Sequence, residues 1–181
     1  MIWYAAYGSN MSRVRFDVYL KGGVPEGAAH EYPGCRDPSD PRDVRPHEIA
    51  AELCFGGVSR TWGGGGVAFI RPAANAWTKA RLYLVTSEQF DDIVAQENWL
   101  EPGTVHVDGT STGIGSHMYG HVMDLGLLED LPVVAVTQDP GAALNPPVGA
   151  YVRHIADGLR EAYAMTPAEI EDYLAGAPGL R

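Results

Sequence analysis

The apolar run Ile2-Trp3-Tyr4-Ala5-Ala6 ends in Tyr7-Gly8-Ser9-Asn10, and a helical pattern follows at once. This succession constrains the fold more than any other stretch, because it reads as strand, tight turn, then helix. Gly8 lets the backbone turn sharply or approach another group closely. Asn10 or Ser12 can cap the helix that follows, which the spacing places from Asn10 to Leu20 with Val14, Phe16, Val18, Tyr19 and Leu20 on its apolar side. A turn of this kind leaves several backbone N–H groups directed into one small space, suited to a carboxylate or a polarised carbonyl. By itself it is also what a plain structural turn looks like, so it needs a chemical partner elsewhere in the chain.

The remaining elements alternate irregularly. Val24 to Pro46 is rich in proline, arginine and aspartate and reads as a long solvated connection without chemistry of its own. Glu48 to Phe55 alternates as a strand with Ile49, Ala51, Leu53 and Phe55 on one face. Ser59-Arg60-Thr61-Trp62-Gly63-Gly64-Gly65-Gly66 then leads into a strand from Val67 to Ile70. These glycines match neither phosphate-binding pattern: no Lys-Ser/Thr follows them, and a strand follows where the dinucleotide motif needs a helix. They mark a bulge or backbone lying against a ligand. Ala80 to Val85 is a strand, Val105 to Val107 a short one, and Ser116 to Met123 and Pro132 to Thr137 two more. Two helices close the chain, one carrying Tyr151, Ile155 and Leu159 and one opened by Thr166-Pro167-Ala168-Glu169. About six or seven strands and four helices in this order give an α+β fold with a mixed, barrel-like sheet, read as one domain over residues 1–181.

The helix after Val85 carries the chemical signal. Thr86 and Gln89 form a capping box, and Phe90, Ile93 and Val94 make an inward stripe. Glu97 falls on that stripe, whereas Asp91, Asp92 and Gln96 take positions expected to face solvent. A carboxylate on the core side of a helix is costly unless it is paired, solvated by a cavity, or used.

Three classes of function fit these residues. In the first, Glu97 acts as general acid and base beside the Tyr7–Asn10 turn, whose N–H groups stabilise charge on a carbonyl oxygen. No Ser or Cys nucleophile with a matching His is evident, so the substrate itself carries the nucleophile. In the second, His106, His117 and His121 hold a metal; their spacing on a strand and the lack of a second ligand cluster argue for solvent-facing histidines instead. In the third, the glycine-rich cleft binds a small ligand without turnover.

Charge and composition narrow the partners. A net charge of −10 argues against nucleic acid or an anionic membrane surface. No apolar run is long enough to span a bilayer, and Met1 leads straight into a strand pattern rather than a secretory leader. Two cysteines, Cys35 and Cys54, make neither a disulfide framework nor a metal spacing, and both read as unreactive. A reducing, cytoplasmic setting is the expectation. Only Lys21 and Lys79 among the thirteen basic residues are lysines, a bias expected of a GC-rich bacterial genome.

Taken in order, four stretches resemble the γ-glutamylcyclotransferase superfamily. Tyr4 to Asn10 resembles its N-terminal signature, and Ser59 to Gly64 with Val67-Ala68 its glycine-rich strand region. Leu82-Tyr83-Leu84 through Phe90, Ile93 and Glu97 is similar to its strand and helix, with Glu97 at the catalytic glutamate. Tyr151, Ile155 and Gly158 resemble a late segment whose tyrosine contacts substrate. The resemblance implies a bacterial, cofactor-independent acyltransferase or lyase: the α-amine of a γ-glutamyl substrate attacks its own γ-carbonyl, releasing 5-oxoproline and an amine or amino acid. It implies Glu97 as the catalytic residue and Tyr4, Tyr7, Gly8, Ser9, Asn10 and Tyr151 as substrate-binding residues, with no metal and no organic cofactor. Relatives often carry a tyrosine about seven residues beyond the catalytic glutamate, where this chain reads Asn98-Trp99-Leu100-Glu101-Pro102-Gly103-Thr104; Trp99 and Tyr119 are the candidates to stand in. Free γ-glutamyl amino acids, glutathione-like peptides and a γ-glutamyl-protected biosynthetic intermediate all stay open as substrates. So do other acyl-transfer or amide-cleaving chemistry on the same scaffold and a homodimeric state.

Overall fold

In a computed structural model of the chain, which describes residues 1–107 and 118–181, strand β1 (Ile2–Ala6) is the middle of a mixed sheet. Its apolar sequence is explained by burial on both faces. Trp3, Ala5 and Tyr7 enter one core cluster, while Tyr4 and Ala6 enter the other. Both edges are occupied as well. β1 runs antiparallel to β5 (Thr78–Val85), pairing Tyr4 with Tyr83, and parallel to β7 (Leu131–Thr137), pairing Tyr4 with Val134. β2 (Val44–Ile49) and β6 (His121–Leu128) complete the five strands in the order β2-β5-β1-β7-β6.

β3 (Ala51–Gly56) and β4 (Val67–Pro72) form a separate antiparallel ribbon against this sheet. Thr137 pins it, accepting a hydrogen bond from Ile70 N at 3.0 Å and donating to Ile70 O at 2.8 Å. Thr78 Oγ1 donates to Ala51 O at 2.8 Å. The barrel-like sheet expected from the sequence is thus an open five-stranded sheet with a two-stranded ribbon beside it. The single strand expected over Glu48–Phe55 is two strands, β2 and β3, that meet at Ala50 and belong to different sheets. Alternation continues through both, so the pattern alone does not show the break.

Four α-helices flank the sheet: α1 (Arg13–Lys21), α2 (Ser87–Glu97), α3 (Gly149–Tyr163) and α4 (Pro167–Ala175). α1 begins later than the spacing suggests. Ser9–Met11 is a single 3-10 turn, and Ser12 caps the helix by accepting from Arg15 N. Val14 accordingly lies outside the core, at 73% exposed. The capping boxes of α2 and α4 form as the sequence specifies. Tyr163 and Tyr173 dock α3 and α4 on the sheet edge: Tyr163 OH donates to Ala80 O and Tyr173 OH accepts from Lys79 N. None of the described helices is long and apolar enough to cross a membrane.

The polar side of α2 faces protein. Asp91, Asp92 and Gln96 are buried, and they hold the backbone of the long connection that the sequence presents as solvated. Asp92 accepts from Arg36 N at 2.9 Å and Gly103 N at 2.8 Å. Gln96 Oε1 accepts from Gly34 N, its Nε2 donates to Tyr19 O, and Asp91 accepts from Val107 N. A loop that packs on a helix needs partners for its backbone N–H and C=O groups, and side chains on the helix's polar face provide them. Val105–Val107 is held in this way and is not the short strand expected. The strand expected over Ser116–Met123 begins at His121; Ser116 and His117 lie outside the described residues.

Asp92→Ala removes a buried acceptor that serves several donors at once. It is expected to lower the unfolding free energy by about 2–3 kcal/mol, measured by urea denaturation. A change of only about 0.5 kcal/mol or less, as for an ordinary surface substitution, would mean that the loop is not held by α2.

Candidate active site

Tyr7 to Asn10 leave the end of β1 while β5 and β7 run on past it, and the chain turns into the 3-10 turn Ser9–Met11. The turn is held by its own surroundings. Tyr83 OH donates to Asn10 O at 2.9 Å, and Tyr7 OH donates to Val136 O at 2.6 Å. Gly8 does not take a left-handed backbone conformation, with φ −102° and ψ −144°. Its need for glycine is spatial: a Cβ there would lie 2.7 Å from the Tyr151 hydroxyl and 3.2 Å from Ala68 Cβ. α3 presses on the turn from the other side through Gly158, where a Cβ would meet Met11 Cβ at 2.2 Å. Of the two roles open to Gly8, close approach is the one in use.

Glu97, the last residue of α2, reaches the same place. Asn10 Nδ2 donates to Glu97 Oε1 at 2.8 Å and to Tyr4 OH at 3.1 Å. Burial pushes the Glu97 carboxyl up from its ordinary value. Arg15, Tyr19 and Asn10 pull it back without cancelling that effect. The carboxylate, the turn and Tyr151 line one narrow cleft, together with Arg15, Tyr19, Tyr32, Trp99 and Tyr119. All of Tyr4, Tyr7, Gly8, Ser9, Asn10, Glu97 and Tyr151 therefore come to one wall system from three separated parts of the chain. Gly8 N, Ser9 N and Asn10 N make no backbone hydrogen bond among the described residues.

Tyr151 is fixed by Ala68 N, which donates to its hydroxyl at 2.9 Å, and the Ser9 N–H also faces it. Burial raises its phenol to about 12, so it enters neutral-pH chemistry as a neutral group. Tyr119 OH donates to Ala68 O, and Asn98, the residue after Glu97, clamps the Tyr119 backbone by accepting from its N–H and donating to its carbonyl. Both residues considered for the missing tyrosine, Trp99 and Tyr119, line the cleft. The glycine-rich stretch supplies Ser59, Thr61 and Trp62 to its rim. Its glycines lie against the chain itself, with Gly66 N donating to Pro146 O and Asn145 Nδ2 to Gly57 O and Gly64 O.

Arg15, Tyr19 and Tyr32 were not singled out from the sequence. Arg15 and Tyr19 stand four apart on α1, a spacing that puts them on one face, whereas nothing in the loop marks Tyr32. The histidines considered for a metal do not gather: His106 meets Asp91 at 3.0 Å, His121 lies 3.8 Å from Asp139, and His117 is outside the described residues. Among the described residues no group of three or more His, Cys, Asp or Glu side chains is placed to hold a metal ion. Both cysteines are buried thiols, and burial pushes Cys35 to about 12.

Comparison with known proteins agrees on architecture. A solved structure named gamma-glutamyl cyclotransferase superposes with a TM-score of 0.60 and 18% identity, covering 98% of this chain and 88% of its own. The structure of an uncharacterised human protein matches with the same values. The chain therefore has the γ-glutamyl cyclotransferase fold. No protein-family model matches it. Histone deacetylase 5 of Arabidopsis thaliana is 32% identical over 198 aligned positions, which take in 96% of this chain. This chain spans only 30% of that protein's length. The 1-deoxy-D-xylulose-5-phosphate synthases of Cupriavidus taiwanensis and Cupriavidus necator are each 44% identical over 54 positions, 29% of this chain and 8% of their own length.

Gly158→Ala is expected to push α3 off the Ser9–Met11 turn and destabilise the protein by about 1–3 kcal/mol. A thermal melt indistinguishable from wild type would show that the contact is not tight.

Proposed function

We propose that the chain is a γ-glutamyl cyclotransferase, with Glu97 as its acid–base residue. The observation that carries this reading is the 2.8 Å hydrogen bond from Asn10 to Glu97, which ties the carboxylate to the turn whose N–H groups are free of backbone partners. The fold shared with a gamma-glutamyl cyclotransferase supports it.

The cleft brings together what the reaction needs. A γ-glutamyl amide carries its own nucleophile, so the site must orient it, deprotonate it and stabilise the charge that forms. The substrate's γ-carbonyl oxygen lies toward Gly8 N and Ser9 N, whose N–H dipoles stabilise the oxyanion that forms on attack. Glu97 takes a proton from the α-ammonium, the α-amine nitrogen bonds to the γ-carbon, and Glu97 returns the proton to the departing nitrogen as the C–N bond breaks; the second proton of the ring nitrogen passes to the freed amine by the same route, so that the amine leaves as an ammonium. The products are 5-oxoproline and a free amine. Asn10, itself bonded to Tyr4, holds Glu97 in place, and Tyr151 and Tyr7 line the γ-glutamyl end. No step calls for a metal or an organic cofactor.

The upward shift of Glu97 has a sign that can be checked. As a base it works deprotonated, so activity falls as pH drops through its folded pKa. The acidic limb of kcat/KM is expected above the ordinary glutamate value near 4.5. Glu97→Gln should reduce 5-oxoproline release from a γ-glutamyl amide by about 10²–10⁴-fold with an unchanged circular dichroism spectrum. A mutant that keeps a near-normal rate removes Glu97 from the mechanism. Failure of the wild type to turn over any member of a panel of γ-glutamyl amines and amino acids would remove the reaction.

A further inference from the structure

Arg15 is the most deeply buried arginine for which the fold supplies no acid. Arg13, Arg36, Arg45, Arg71, Arg81 and Arg160 each pair with a carboxylate at or near the surface. Arg15 is 2% exposed, and its Nε and Nη1 have no hydrogen-bond partner among the described residues. A guanidinium stays charged under all ordinary conditions, and burying it with open donors costs free energy that folding has no reason to accept. Among the described residues, three of the four buried side-chain N and O atoms without partners belong to Arg15 and its neighbour in the cleft, Asn10.

The surroundings of Arg15 select what could complete it. Its Cζ lies 4.3 Å from the centre of the Tyr19 ring and 4.6 Å from that of Tyr32. With rings against the guanidinium, its in-plane N–H groups are left to act: Nε and Nη1 belong to its two different edges, each completed by Nη2, and either edge presents two parallel N–H groups that match the two oxygens of a carboxylate. That side chain lines the same cleft as Glu97 and the Gly8–Asn10 turn. Glu97 is held by Asn10 instead and does not fill the gap.

We propose that Arg15 is the anchor for a carboxylate of the substrate, gripped by one edge of its guanidinium beside Tyr19 and Tyr32. The inference rests on the cleft being the site proposed above, but not on the reaction that occurs there. A γ-glutamyl amino acid offers two such groups, the α-carboxylate of the glutamyl unit and the carboxylate of the leaving amino acid. In either case the substrate class is anionic at the Arg15 end, and the anchor opposes the repulsion from a chain of net charge −10.

The test is calorimetric binding to wild type, Arg15→Met and Arg15→Lys, using 5-oxoproline, its carboxamide, γ-glutamylalanine and γ-glutamylethylamide, the last two with Glu97→Gln in each background to prevent turnover. Arg15→Met is expected to weaken at least one of the carboxylate ligands by about tenfold to a hundredfold, with a melting temperature no lower than that of its parent. Arg15→Lys keeps the charge without the planar fork and should fall between the two. Losses on γ-glutamylalanine, γ-glutamylethylamide and 5-oxoproline alike, with the carboxamide bound weakly even by wild type, assign the α-carboxylate to Arg15. A loss confined to γ-glutamylalanine assigns the leaving group. Affinities within twofold of the parent for every carboxylate, with a lowered melting temperature in both variants, would make Arg15 a packing residue and overturn the proposal. So would the absence of binding to all four compounds by wild type. Binding that depends on Arg15 without any release of 5-oxoproline would reject the cyclotransferase reading and keep the anchor.

Discussion

A strand that is hydrogen-bonded on both edges and buried on both faces has no freedom in where its end goes, and β1 is such a strand. Its register with β5 and β7 fixes Tyr4 between Tyr83 and Val134. The residues that follow then emerge at one point, between α3 on one side and the start of α1 on the other. Every other feature of the cleft depends on that exit. Gly8 can pass beneath the Tyr151 hydroxyl only without a Cβ, and Gly158 admits the next turn for the same reason. The site is built where backbone approaches backbone more closely than side chains normally allow, and this is what leaves amide groups unshielded by their own residues.

The electrostatics of the cleft are two opposite charges, Arg15 buried and Glu97 half-buried, that do not neutralise each other directly. Glu97 takes its hydrogen bond from Asn10, and Arg15 rests against tyrosine rings. Their mutual field still matters, since Arg15 holds the Glu97 carboxyl below where burial alone would put it. Joined in an ion pair, the two would have been spent on stability. Kept apart, each is open to the role proposed for it: Glu97 as a proton acceptor at one point of the cleft and Arg15 as an anion-binding edge at another. A zwitterionic substrate with its amine and carboxylate on adjacent atoms, or a dipeptide with charges further apart, presents the complementary pattern.

Much of this was legible from residue order. The strand-turn-helix opening, the capping boxes at Thr86 and Thr166, and the inward position of Glu97 follow from local spacing, because periodicity and capping are properties of a few consecutive residues. The breaks in legibility also have local causes. Asp91, Asp92 and Gln96 carry the signature of a solvent-facing stripe, yet they bind a loop from far upstream. A polar side chain satisfied by water and one satisfied by distant backbone look the same in sequence. Continuous alternation through Ala50 hid the passage from one sheet to the other, because a change of sheet alters neighbours and not the period.

The sequence by itself determined which elements form, that a glycine-containing turn must close the first strand, and that one carboxylate would be drawn toward the core. Those outcomes come from backbone sterics, side-chain polarity and spacing within a single element. Only the tertiary structure decided that Asn10 meets Glu97, that Tyr151 crosses above Gly8, and that Arg15 is enclosed beside Tyr19 and Tyr32 without an acid. These contacts join α1, α2, α3 and a loop, and they depend on the order in which strands pair. Strand order arises from burying the two faces of β1 at once, a demand made by the whole chain that no single window of it contains.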